Sequence, residues 1–198
     1  MSQKYKVFID DNVIIFTSSE IEGIPVMQHL KSIKDYHTLK NQLDVKNYQI
    51  IKRNPKRAMK TFFRHFLWIK AAGGLVKCED KVLWIYRLNK WDFPKGKIEK
   101  IEKRKSAAIR EIKEETGLMG DLNVDHKIME SYHVYFAFEK SVIKKTTWYS
   151  IHYQGLKKSI PQASEDITKI KWYKSGDMRI PMSKTYPLIK ELVSQEFS

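Results

Sequence analysis

Gly96-Lys-Ile-Glu-Lys-Ile-Glu102-Lys-Arg-Lys-Ser-Ala-Ala-Ile-Arg110-Glu111-Ile112-Lys113-Glu114-Glu115-Thr116-Gly117-Leu118 is the stretch on which the fold turns. Residues from about 104 to 116 read as a helix, stopped by Gly117, which tolerates a positive φ at the end of a helix. Glu111, Glu114 and Glu115 stand at i, i+3 and i+4. That spacing puts their carboxylates on one exposed face, close together. Like charges so placed cost about 0.2–0.5 kcal/mol per pair, and the arrangement becomes favourable when a hard cation such as Mg²⁺ accepts the oxygens. Taken alone, the three glutamates also suit a solvated acidic surface. Ile109, Ile112 and Thr116 fall on a different face, which can pack inward, and Ala107 leaves open space one turn above Glu111.

Outward from this helix the pattern alternates like strands. Ala71–Val76 and Val82–Tyr86 form an expected hairpin across Glu79-Asp80, and Trp91-Asp-Phe-Pro-Lys-Gly96 is expected to be a loop. Residues 128–138 and 145–154, rich in Tyr, Phe, Val, Thr and Ile, are expected strands joined through Lys140–Lys144. A last strand over Ile167–Tyr173 and a terminal helix over Thr185–Gln195 complete this part. At the amino end, Lys6–Ile9 and Val13–Phe16 flank Asp10-Asp11-Asn12 as a hairpin, and helices are expected between residues 26 and 44. Asn54-Pro55 caps a further helix, whose Met59, Phe62, Phe63 and Phe66 face a core while Arg57, Lys60 and Arg64 face away. The expectation is an α+β fold: an extension over residues 1–66, holding a β-hairpin and helices, followed by a larger domain over 67–198.

The chain of 198 residues is 42% hydrophobic, enough to bury a sizeable core. No run approaches the ~18 apolar residues of a membrane span, and Met1–Lys6 lacks the apolar core of a signal peptide, so a cytoplasmic protein without membrane partners is expected. Cys78 stands alone, which excludes an intrachain disulfide and a multi-cysteine zinc site. It reads as a half-buried strand residue. With 37 Lys and Arg against 23 Asp and Glu, the formal charge of +14 favours polyanions such as nucleotides, polyphosphates or RNA. Nothing in the residues specifies an oligomeric state.

The 96–118 stretch resembles the complete box of the Nudix hydrolases, G-x5-E-x7-R-E-U-x-E-E-x-G-U with U a bulky aliphatic residue. Every fixed position is filled. The resemblance implies an α/β/α sandwich with a mixed sheet, and a hydrolase that cuts the diphosphate link of nucleoside diphosphate derivatives. It implies Mg²⁺ as cofactor, with Mn²⁺ a substitute, held by Glu111, Glu114, Glu115 and the carbonyl of Gly96, while Glu102 pairs with Arg110. The base that activates water is implied to be Glu114 or a glutamate beyond the box; Glu165, just before the last strand, occupies a suitable position.

Trp91-Asp-Phe-Pro94-Lys95-Gly96 resembles the W-x-x-P-K-G lead-in of dinucleoside polyphosphate hydrolases, inositol pyrophosphate hydrolases and messenger RNA decapping enzymes. Lys95 and Lys97, with Arg87 on the preceding strand, are candidates to neutralise a phosphate chain, and Trp91 is a stacking surface or packing. Tyr135 lies 17 residues beyond Leu118, where relatives acting on diadenosine polyphosphates carry a tyrosine. Members specific for ADP-ribose tend to carry a proline there, and none occurs between Gly117 and Pro161. The expected substrate is a dinucleoside polyphosphate or a nucleoside triphosphate. The alternatives are an RNA 5′-end pyrophosphohydrolase of decapping type and a nucleotide-sensing regulator that binds without cutting; the full carboxylate set argues against the regulator.

Overall fold

A computed structural model describes residues 4–27 and 32–198. In chain order the elements are β1 (Tyr5–Ile9), β2 (Asn12–Thr17), α1 (Tyr36–Lys40), β3 (Asn47–Ile51), α2 (Pro55–Phe62), β4 (Leu67–Cys78), β5 (Lys81–Arg87), β6 (Lys90–Asp92), β7 (Lys95–Lys97), α3 (Arg104–Thr116), β8 (Asp121–Ala137), β9 (Lys140–Gln154), β10 (Ile167–Lys174), α4 (Arg179–Ser183) and α5 (Pro187–Phe197), with one 3₁₀ turn at Ala163–Glu165. No helix among the described residues is long and apolar enough to cross a membrane. The chain forms two units, Met1–Ile69 with Ser131–Lys145, and Lys70–Glu130 with Thr146–Ser198.

In the first unit β1 and β2 make the expected antiparallel hairpin, turning at Asp10, whose φ is 52°. β3, which the sequence reading missed, runs parallel to β2 and pairs Val13 with Asn47 through Thr17 with Ile51. β1 pairs in parallel with Tyr132–Val134 of β8. The Asn54 side chain accepts from Arg57 N at 3.0 Å and caps α2, and Pro55 fills the first helical position, where a missing N–H costs nothing. Met59, Phe62, Phe63 and Phe66 are all buried, and Phe62 and Phe63 meet Phe16 edge to face. Of the helices expected over 26–44, the described residues contain only α1; residues 28–31 lie outside the described part.

The second unit carries strands in the order β10-β5-β4-β9-β8, with β6 paired to β5 and β7 to β4. β5 shows how the sheet is covered on both faces. Leu83 and Ile85 pack with Ala107, Ala108 and Ile112 of α3, whereas Val82 and Trp84 pack with Ile189, Leu192 and Val193 of α5. Alternation of side chains along a strand produces this division, and helix, sheet and helix form the α/β/α layers of the expected mixed α+β sandwich. Two connections differ from expectation. Trp91–Gly96 is no plain loop, because Lys90–Asp92 and Lys95–Lys97 pair with β5 and β4. Lys140–Lys144 is strand rather than connector, because Phe138 and Glu139, each at φ 54°, turn the chain in two residues, the geometry of a tight primed hairpin turn. Cys78 is buried at the α3 face as a small packing residue.

Ile112→Ala should cost about 2–5 kcal/mol in urea unfolding, the range for emptying a fully buried aliphatic position, whereas Lys113→Ala on the exposed side should stay within about 0.5 kcal/mol. Equal midpoints for the two variants would contradict the packing of α3 described above.

Candidate active site

α3 spans Arg104–Thr116 and ends at Gly117, whose φ of 65° is the left-handed cap that the sequence requires. Its last-turn carbonyls are satisfied from the chain that follows β9: Ile160 N donates to Thr116 O at 2.8 Å and Gln162 N to Glu115 O at 3.3 Å. The helix end is therefore fixed on both sides, and with it the carboxylates of its last turns.

Arg110 organises the cluster. Its Nε and Nη2 donate to the two oxygens of Glu102 at 2.9 and 2.8 Å, and Nη2 also reaches Lys97 O at 3.0 Å. Nη1 donates to Glu111 Oε1 at 2.8 Å and to Glu114 Oε2 at 3.0 Å. The expected Glu102–Arg110 pair is present, and Arg110 in addition holds two of the three expected metal ligands. This hydrogen bonding, with a further donation from Glu99 N, lowers the Glu102 carboxyl to about 2. Among the described residues no three acidic, histidine or cysteine side chains converge on one point closely enough to hold an ion in this conformation. A guanidinium nitrogen lies between Glu111 and Glu114 instead.

The three glutamates differ in environment, which the spacing alone does not show. Glu114 is half exposed, and the Glu111 side chain is only 13% exposed. Burial raises the Glu111 pKa, opposed by Arg110 and reinforced by the charges of Glu114 and Glu165. Glu115 is 2% exposed, not part of an exposed face, and its Oε2 accepts from Lys95 N at 3.1 Å. Desolvation pushes its carboxyl up to about 7, because a backbone N–H and the more distant charges of Lys95 and Arg87 replace only part of its hydration. Helical spacing contains the signal for this burial: Ala108, Ile112 and Glu115 follow i, i+4, i+7, a single inward stripe. Ala107, expected beside open space, is fully buried under the same sheet face.

Gly96 in β7 is required by close approach. A Cβ there would lie 1.9–2.4 Å from the Glu111 carboxylate, so any side chain would displace it. Glu165 ends the 3₁₀ turn before β10, half exposed, with Arg87 Nη2 3.8 Å away, and its charge is among those that raise Glu111. The structure thus gathers Glu102, Arg110, Glu111, Glu114, Glu115, Gly96, Arg87 and Glu165 into one region of the second unit. Arg87 Nε is buried and has no hydrogen-bond partner.

Three of the expected substrate contacts have the following surroundings. Trp91 is 6% exposed and packs edge to face on Tyr86 and Tyr173, in keeping with the packing alternative of its two readings. Lys95 pairs through Nζ with the buried carboxylate of Asp92 and lies 5.9 Å from the Trp148 ring centre; its side chain is committed to packing. Tyr135 belongs to the first unit, where its ring stacks on His133 at 5.4 Å and lies under Lys144 Nζ at 5.2 Å. It is not part of the unit that holds the glutamates. Lys97 is exposed. Asp92 was missed. Its signal is a lone acid inside the aromatic run Trp91-Asp92-Phe93, three residues before a lysine; by pairing with Lys95 and accepting from Phe93 N at 2.8 Å it fixes the peptide that holds Glu115.

The NUDIX domain model matches residues 67–193. Solved structures share the fold: a Caenorhabditis elegans Ap4A hydrolase in a binary complex is similar at TM-score 0.50 and 22% identity, over 65% of this chain and 94% of that one. A MutT Nudix hydrolase of Burkholderia pseudomallei is similar at TM-score 0.50 and 18% identity, over 65% and 97%. A Nudix hydrolase of Nitrosomonas europaea is similar at TM-score 0.51 and 15% identity, over 65% and 87%. With the domain matched over most of the chain and Glu102, Arg110, Glu111, Glu114 and Glu115 gathered on and beside α3, this chain belongs to the Nudix hydrolase family.

Proposed function

We propose that this Nudix hydrolase is a Mg²⁺-dependent pyrophosphohydrolase that cleaves the diphosphate link of a dinucleoside polyphosphate or a nucleoside triphosphate. The observation that carries the reading is the set of carboxylates on α3, drawn against Gly96 and bridged by Arg110 Nη1. Oxygen donors suit a hard divalent cation, and the donor set here fits one. Gly96 leaves free the volume that a Cβ would take from Glu111, a guanidinium N–H already supplies positive charge between Glu111 and Glu114, and Glu115 is a buried carboxylate with a raised pKa. Glu111, Glu114, Glu115 and the Gly96 carbonyl would hold Mg²⁺, with Mn²⁺ as a substitute. When bound, the ion withdraws charge from the phosphoryl oxygens and makes water more acidic.

The chain's own groups perform the remaining tasks. Arg110 would keep Glu102 through Nε and Nη2 if Nη1 gave up Glu111 and Glu114, so α3 would stay anchored with those two carboxylates available to a cation. Glu165 takes the proton of the attacking water. It is half exposed and held only by a long ion pair to Arg87, whereas Glu114 is engaged by Arg110. The unpartnered Arg87 Nε and the exposed Lys97 supply positive charge to the phosphate chain, and the Trp91–Gly96 lead-in resembles that of dinucleoside polyphosphate hydrolases, inositol pyrophosphate hydrolases and messenger RNA decapping enzymes alike, all of which handle phosphate chains. The similarity to an Ap4A hydrolase is consistent with the proposed substrate class.

Two predictions address the mechanism. Glu165→Gln is expected to lower kcat about 10²–10⁴-fold, the usual contribution of a general base, with Mg²⁺ affinity unchanged, whereas Glu114→Gln should raise the Mg²⁺ concentration needed for half-maximal rate. Identical Mg²⁺ titrations for wild type and Glu114→Gln would remove Glu114 from the metal site. On substrate, diadenosine tetraphosphate, nucleoside triphosphates and 5′-triphosphorylated RNA compared at one salt concentration should show the highest kcat/KM for the dinucleotide. RNA turned over as efficiently would overturn that choice.

The burial of Glu115 makes stability depend on pH. The folded state keeps a proton on Glu115 up to about pH 7, while the unfolded chain releases it near 4.3. Between those values the native state binds more protons, so the metal-free protein loses stability as pH rises, and the loss levels off above about 7. Glu115→Gln removes the penalty. Measured without divalent ions at pH 8, its Tm should exceed that of wild type by at least about 2 °C, and added Mg²⁺ should raise the wild-type Tm more than that of the variant. A variant Tm below wild type in EDTA would show that Glu115 is not an uncompensated charge.

A further inference from the structure

Between Val45 and Cys78 the chain contains nine Lys or Arg and no Asp or Glu. α2 carries the densest part of that run. Lys56, Arg57, Lys60 and Arg64 are all exposed on or just after it, while Met59, Phe62 and Phe63 are buried beneath. Immediately before α2, Lys52 and Arg53 leave β3, and Lys52, Arg53, Asn54, Arg57 and Thr61 line a groove of about 360 Å³ whose floor is Phe16, Ile50 and Phe62. Among the described residues no carboxylate pairs with Lys52, Arg53, Lys56, Arg57 or Lys60. This contrasts with Lys40, Lys77 and Lys157, whose ammonium groups lie 2.6–2.8 Å from acidic oxygens.

We infer that this face of the first unit is a docking surface for single-stranded RNA. Five neighbouring cations without counterions, two of them guanidinium groups able to chelate a phosphate, match a polyphosphate backbone in charge. Lys56 and Lys60 stand one turn apart on α2, with Arg57 on the same helix and Lys52 and Arg53 just before it beside the groove, so that consecutive phosphates can meet separate side chains. A membrane surface is the poorer match, since an interfacial helix needs a large apolar face outward, and of the apolar side chains of α2 Pro55, Met59 and Phe62 are buried and Ala58 is partly buried. The groove has room for single nucleotides and not for a duplex. Its neutral polar lining, the Thr61 hydroxyl and the Asn54 amide nitrogen, can exchange hydrogen bonds with ribose 2′-hydroxyls, the group that separates RNA from DNA. The site lies in a different unit from the glutamates and does not depend on which nucleotide they hydrolyse.

The test uses the full chain and a fluorescent single-stranded RNA of about twenty nucleotides with a 5′-hydroxyl, which offers the hydrolase no phosphoanhydride. Binding should weaken with salt at a log–log slope of about −0.7 for each phosphate neutralised. The double variant Arg53→Glu, Arg57→Glu should bind at least tenfold more weakly with a shallower slope. Its kcat/KM on diadenosine tetraphosphate should be unchanged, and circular dichroism should show an intact fold. Lys56→Ala with Lys60→Ala serves as the milder second variant and should reduce affinity about threefold or more. DNA of the same sequence and anionic vesicles should bind more weakly than the RNA. The inference is overturned if either variant binds RNA as wild type does, or if DNA or vesicles bind as tightly as RNA.

Discussion

The carboxylates of Glu102, Glu111 and Glu114 converge on one positive group, the guanidinium of Arg110. It contacts Glu102, Glu111 and Glu114 and a backbone carbonyl with three nitrogens. Like charges at this helical spacing repel by about 0.2–0.5 kcal/mol per pair, and the charge-assisted hydrogen bonds from Arg110 more than offset that repulsion. A planar guanidinium with five donors can satisfy several carboxylates at once; a lysine could not hold Glu102 bidentately and still reach Glu111 and Glu114. Arg110 sets the resting arrangement of the site in this way, and a competing cation must displace one of its nitrogens.

The surrounding packing turns that local balance into fixed positions. β7 is only three residues long, yet its pairing with Ala71–Gly73 of β4 brings Gly96 against Glu111 and aims Lys95 N at Glu115. Asp92 holds Lys95 from the other side. α3 is tied to the sheet by Ala107, Ala108 and Ile112, all fully buried, so a turn of the helix about its axis would expose apolar surface at about 25 cal/mol per Å². The carboxylates are thus held by a core that contains none of the chemistry.

What could be read from the sequence follows from how local each signal is. α3 was legible to the residue because Gly117 marks its end, and the Asn54-Pro55 start of α2 is equally local. The Glu102–Arg110 pair is fixed by spacing within one motif. β3, β6 and β7 escaped because strands of three to five residues exist here through partners elsewhere in the chain, Asn12–Thr17, Lys81–Arg87 and Leu67–Cys78. The unit to which Tyr135 belongs is hidden for a similar reason. Counting residues past Leu118 places it on a strand, but β8 runs on so far that Ser131–Ala137 joins the first unit. Trp91 and Lys95 stand in a motif that suggests ligand contacts, and only the packing of Tyr86, Tyr173 and Asp92 around them shows that both are used internally. The burial of Glu115 was available in the helical stripe through Ala108 and Ile112, but it is masked when three glutamates are read as one face.

The same distinction between committed and uncommitted groups changes what the net charge of +14 means. In the second unit the prominent cations near the site are spoken for: Arg110 by Glu102, Glu111 and Glu114, Lys95 by Asp92, Arg87 in part by Glu165. Their fields largely cancel a few ångströms away, so little of the chain's excess charge acts at the site beyond the exposed Lys97 and the part of Arg87 that Glu165 leaves unpaired. On α2 no carboxylate among the described residues pairs with Lys56, Arg57 or Lys60, and their field extends into solvent, where a Debye length of about 8 Å at physiological salt limits it to ligands near contact. A polyanion is therefore favoured only if it lies along the helix, and a small nucleotide gains little there. Total charge points to a polyanionic partner in general; the pairing of individual side chains separates the charge that serves the hydrolytic centre from the charge available to anything else.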